Sequence, residues 1–82
     1  KLHIGEDTEE ILNSDLGLEM RAIPDLREAI TYCEEVKDFV SRDLFQKILD
    51  DEEDHVDWLE TQLGLIEKIG IQNYLSEKMN DE

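Results

Sequence analysis

Residues 45–66 read FQKILDDEEDHVDWLETQLGLI, and the spacing of their apolar side chains decides the fold. Phe45, Ile48, Leu59 and Ile66 share one side of a helix, and Leu49, Val56 and Leu63 flank them. Two slots of the same phase are not apolar. They hold Glu52 and His55, one helical turn apart.

The stretch upstream has the same character. Leu12, Leu16, Ile23, Leu26, Ile30 and Cys33 follow one another at spacings of 4, 7, 3, 4 and 3, a helical stripe with one slot open. Glu19 fills that slot. Pro24 lies inside the stripe, where it removes one backbone hydrogen bond and crowds the carbonyl of Met20. The apolar phase continues unbroken across it, so the spacing predicts one bent helix rather than two. Asp7 with Glu10 has the form of a helix start, Val36 and Lys37 of a turn, Asp38 of a second cap and Gly70 of a helix stop. The predicted helices cover about 7–36, 38–69 and 71–79, with a fraying tail over 80–82.

The two long helices would be roughly 42 and 46 Å in length at 1.5 Å per residue. A short connection makes them an antiparallel pair. Packed only on each other, they leave each stripe half uncovered, and such a hairpin rarely folds stably alone. The predicted class is therefore all-α: a long antiparallel hairpin with a short C-terminal helix, half of a four-helix bundle that another chain completes.

Composition narrows the function. The chain of 82 residues has room for one domain, and its 23 acidic and 8 basic side chains give a formal charge of −15. That charge argues against nucleic acid, whose binding needs a basic face, and against docking on anionic lipid. It suits cation binding as well as plain solubility. Cys33 is the single cysteine, which rules out an internal disulfide and reads as a small core residue. No apolar run approaches the ~20 residues that span a bilayer, and no signal-peptide pattern opens the chain, so a cytoplasmic protein is expected.

Glu19, Glu52 and His55 remain to be explained. A buried, unpaired carboxylate costs several kcal/mol or shifts its pKa until it is neutral. Glu19 precedes the turn by about as many residues as Glu52 and His55 follow it, so the three meet at one level across an antiparallel pair. A metal ion makes such a group tolerable by turning charges into ligands. Di-iron carboxylate proteins use one Glu from each of two helices and Glu-x-x-His from each of two others. This hairpin carries one of each.

Plainer readings compete. A lone Glu-x-x-His occurs by chance on many surface helices, as a solvated face or an exposed ion pair; the in-phase Glu19 at matching height is what favours a site. In the acidic run, Asp50, Glu53 and Asp54 read as a solvated face. Asp51 adjoins Glu52 and could orient an imidazole from a neighbouring helix. Trp58 reads as packing one turn beyond His55, and Tyr32 and Tyr74 as helix-edge packing. His3 reads as an inert loop residue. Met20 lies off the stripe and is not a candidate haem ligand.

The stretches LHIGEDTEEILNSDLGLE (residues 2–19), DDEEDHVDWLETQLGLIEKIG (residues 50–70) and IQNYL (residues 71–75) resemble the C-terminal half of a bacterioferritin subunit, of the ferritin-like family. The resemblance covers essentially the whole chain. It implies a four-helix bundle with a short fifth helix, cage-forming subunits, and iron storage and detoxification through a ferroxidase centre that oxidises Fe(II) to Fe(III). The chain would hold the third, fourth and fifth helices. By the same resemblance Glu19 is a terminal carboxylate ligand, Glu52 a bridging carboxylate, and His55 an imidazole ligand on the iron that Glu19 binds. Asp51 matches an acid hydrogen-bonded to a ligand His of the other half, and the helix around Asn73 would lie near a fourfold axis. The family's first two helices have no counterpart here, nor has the Met that grips haem between two subunits, so no haem binding is expected of this chain alone. The missing half of the bundle would be an N-terminal half-subunit or a second copy of this chain. The rival reading is a non-catalytic hairpin that self-associates with or without metal.

Overall fold

The computed structural model describes the backbone of residues 4–80 and the side chains of residues 8–78. Three helices follow one another: α1 (Ile4–Glu35), α2 (Phe39–Ile69) and α3 (Ile71–Asn80). The protein is all-α, as the periodicity predicts. Helix α1 runs continuously through Pro24, which sits at an exposed position. It already begins at Ile4, ahead of the start predicted at Asp7, whose side chain lies outside the described residues. His3 and the last two residues also lie outside them.

The reversal between α1 and α2 is a hydrogen-bonded stop. Asp38 N–H donates to the Cys33 carbonyl at 2.8 Å and Lys37 N–H to the Glu34 carbonyl at 3.2 Å, the paired bonds that satisfy the last carbonyls of a helix. This motif needs a left-handed residue, and Lys37 supplies it with φ 62°, at roughly 1 kcal/mol more than glycine. Asp38 then caps α2, its Oδ1 accepting from the Ser41 amide at 3.1 Å. The Ser41 hydroxyl, and then this amide, hold the Asp38 carboxyl below its usual pKa. At the far end Gly70, with φ 85°, turns the chain into α3.

The helices bury two clusters. Leu12, Leu59, Ile66 and Tyr74 form one where α3 folds back on the hairpin; Ile23, Leu49 and Val56 form the other nearer the turn. Leu16 packs against both. Three details differ from the sequence reading. Ile48, predicted on the buried stripe of α2, is 37% exposed, and its neighbour Leu49 is buried instead. Tyr74, predicted at a helix edge, is buried, because its hydroxyl donates to Oε1 of Gln62 at 2.6 Å and so stays hydrogen-bonded without water. Trp58 is half exposed on this chain.

Exposed apolar side chains repeatedly precede buried ones by one residue. Ile11 precedes Leu12, Tyr32 precedes Cys33, Ile48 precedes Leu49, Trp58 precedes Leu59 and Leu65 precedes Ile66. One residue is a rotation of about 100° around a helix. Because α1 and α2 are antiparallel, the same rotation in chain sense carries both exposed stripes to one side of the hairpin. On the opposite side Arg27 pairs with Glu53 at 2.8 Å.

The shape agrees with a structure open on one side. The radius of gyration is 16.9 Å, against about 12 Å for a compact chain of this length. The surface is 6253 Å², against about 5,100 Å² for a compact monomer of this mass. Among the described residues no helix is long and apolar enough to cross a membrane.

Candidate metal centre

Glu19 stands at the midpoint of α1, and the turn from Glu52 to His55 at the midpoint of α2. The level is fixed by apolar side chains on either side, Leu16 and Val56 away from the turn and Ile23 and Leu49 toward it. Glu19 is held by its in-phase position on the buried stripe, and 16% of its side chain is exposed. Glu52 is half-buried. His55 lies at the rim, with 46% of its side chain exposed. It belongs to the stripe of Ile48 and Trp58 rather than to that of Leu49 and Val56.

The three side chains touch in sequence. Nδ1 of His55 lies 2.9 Å from Oε2 of Glu19, within hydrogen-bond distance. Glu19 also lies within hydrogen-bonding reach of Glu52, and two carboxyls so close shift each other's pKa. The pair splits unequally. The bond from Glu52, and then the one from His55, holds Glu19 below the ordinary carboxylate range. The same Glu19 bond, with burial and the Glu19 charge, pushes Glu52 up, and nearby Asp51 adds to the push.

Asp51 is exposed and lies one turn before His55 on the open side, away from the hairpin's own core. Trp58 shields His55 from the other direction, its ring stacked at 6.2 Å between centroids and 30° between planes. Asp50 accepts from Gln46 at 3.0 Å, and Asp54 is exposed, as a solvated face requires. Among the described residues no three His, Cys, Asp or Glu side chains surround a common point as metal ligands would. The cluster therefore offers carboxylate and imidazole donors from one side only. The sequence reading missed the buried Gln62, whose position seven residues after His55 was its only signal.

The ferritin-like domain family matches over residues 1–69. The chain belongs to the ferritin-like family. Among individual proteins, it is 52% identical over 80 residues to a bacterial ferritin of Synechocystis sp., which is 96% of this chain and 51% of that protein. It is 46% identical over 79 residues to a bacterial ferritin of Pseudomonas aeruginosa, 95% of this chain and 51% of that one. With the bacterioferritin of Rhodobacter capsulatus it shares 47% identity over 73 residues, 89% of this chain and 45% of the relative. The chain thus spans about half the length of the curated relatives it matches. An all-α ferritin-like hairpin with acidic residues and a histidine at mid-height fits that membership.

Proposed function

We propose that this chain is the C-terminal half of a bacterioferritin-like bundle and supplies half of a di-iron ferroxidase centre for iron storage and detoxification in the cytoplasm. Glu19, Glu52 and His55 are the ligands, and Asp51 orients an imidazole brought by the other half. The observation that carries this reading is the contact between Glu19, Glu52 and His55 at the midpoint of the hairpin, partly withdrawn from water yet open on one side.

The donor set fits iron. Hard carboxylate oxygens with imidazole nitrogen suit iron in its lower oxidation state, and carboxylates suit it after oxidation. Iron bound there would supply the electron that passes to an oxidant as Fe(II) becomes Fe(III). The protein's part is to provide the ligands in their deprotonated forms. Metal binding therefore competes with protons at Glu19 and Glu52 and with the contact between His55 Nδ1 and Glu19. The clusters above and below fix the height of these groups, and the covering half of the bundle excludes water from them.

The test is thermal melting of the whole chain with and without Co(II). A ligand that binds only the folded form stabilises it by about 2.7 kcal/mol at a hundred times its Kd. The melting temperature should rise with Co(II), and Glu52→Ala should abolish the rise. A melting curve that Co(II) leaves unchanged would instead establish the non-catalytic hairpin.

A further inference from the structure

We propose that Tyr74 is a positioning residue for the metal centre: its hydrogen bond to Gln62 fixes the rotation of α2 at which Glu52 and His55 face Glu19. This rests on the metal-centre reading above. It concerns contacts inside this chain, whatever covers the open side.

Apolar packing leaves that rotation weakly determined. Along α2 an exposed apolar side chain stands one residue before a buried one three times, at Ile48 and Leu49, Trp58 and Leu59, and Leu65 and Ile66. Turning α2 by one residue, about 100°, exchanges the members of each pair. Burial of apolar surface has no direction, so it distinguishes such faces poorly. A hydrogen bond has direction, and a buried polar group that loses its partner is costly.

Gln62 is the buried polar side chain of α2, 5% exposed. Its Oε1 accepts from the Tyr74 hydroxyl at 2.6 Å. Among the described residues every buried side-chain nitrogen and oxygen has such a partner. Turned by one residue, α2 would present Thr61 in place of Gln62. Thr61 is exposed here, and its shorter side chain does not reach as far.

Placement connects this bond to the site. Gln62 lies seven residues after His55. Seven residues turn a helix almost back to the same azimuth, about 10 Å further along. Leu12, which shares a buried cluster with Tyr74, lies seven residues before Glu19 on α1. Tyr74 thus joins the two long helices on the faces that carry the ligands, two turns away from them. Lys78 lies over its ring, with Nζ 5.6 Å from the centroid.

The leverage is sufficient. A rotation of α2 by about 20° moves Cα atoms by about 0.8 Å and the ends of long side chains by about 2 Å. The 2.9 Å contact between His55 Nδ1 and Glu19 Oε2 would not survive it. Metal–ligand distances tolerate only about 0.2 Å.

The experiment is a Co(II) titration of the full chain, followed by visible absorption of the bound metal. It is run at a temperature where circular dichroism shows every variant folded. Tyr74→Phe should weaken Co(II) binding about tenfold, the low end of the loss when a group that orients ligands is removed. Adding Gln62→Met removes both polar partners at similar volume. The melting temperature should then return toward that of the unchanged chain, while the affinity stays low. Leu75→Ala takes apolar contact from the same helix and leaves the bond in place. It should lower the melting temperature and keep the affinity. Co(II) binding by Tyr74→Phe equal to that of the unchanged chain would overturn the positioning role. So would an affinity that simply follows the melting temperature across the three variants. In both cases Co(II) held by the unchanged chain leaves the metal-centre reading standing. An unchanged chain that binds no Co(II) would overturn that reading, and the role of Tyr74 with it.

Discussion

The two ends of the hairpin start from similar sequence and reach different states. Where α3 folds back, Leu59 is fully buried, Ile66, Leu12 and Tyr74 close around it, and Leu63, Ile69, Ile71 and Leu75 pack outside them. At the turn end, Val36, Phe39 and Leu44 are exposed and Val40 is 84% exposed. The apolar residues are as frequent at one end as at the other. The difference is a third helix. Two antiparallel helices bury only the arc along which they touch, and a third element is needed to cover the next 100° of each. Helix α3 provides it over a few turns, and among the described residues nothing does so elsewhere. The metal-centre candidate lies at the border between the closed part and the bare part.

The comparison breaks most readily at Leu59. It is fully enclosed, so Leu59→Ala removes apolar contacts and leaves a cavity, which costs about 2–5 kcal/mol for such changes. Urea unfolding of the chain should show most of its stability gone. A loss under about 1 kcal/mol would mean that the closed end does not carry the fold.

Tyr74 sharpens the same contrast by a smaller amount. Its hydroxyl is bonded to the buried Gln62 at 2.6 Å. Tyr74→Phe leaves the Gln62 oxygen without that donor, at about 1–3 kcal/mol. Burial also pushes the Tyr74 phenol above its ordinary pKa of 10.0. The folded chain then keeps this proton longer than the unfolded chain. Stability from this source is fully present below the unfolded value and falls as pH rises from there through the folded one. Thermal melts between neutral pH and pH ~11 should show an alkaline loss that Tyr74→Phe reduces. An equal alkaline loss in both proteins would assign it to other groups.

How far the sequence reveals this molecule follows from which arc each residue serves. Helical spacing, the Asp38 cap and the Gly70 stop are local, and the helices and their antiparallel order follow from them. The facing of α2 is not local. Its apolar arc serves two surfaces, one against α1 and one left open, and periodicity reports their average. Ile48 therefore looks as buried as Leu49, and His55 as buried as Val56, although the structure puts Ile48 and His55 at the rim. Glu19 suffers no such ambiguity, because its stripe from Leu12 to Cys33 coincides with the contact seam. Gln62 and Tyr74 are hidden for another reason. A polar side chain reads as exposed until its partner is known, and theirs lies on a different helix.

The smallest effect on the chain itself should come from the bare end. Leu44 is exposed and one residue from the half-buried Phe45. Lysine forms helix about as well as leucine, so Leu44→Lys should change the urea midpoint of the isolated chain by no more than about 0.5 kcal/mol. If Leu44→Lys unfolded the chain nearly as far as Leu59→Ala, the turn end would be part of the hairpin's own core.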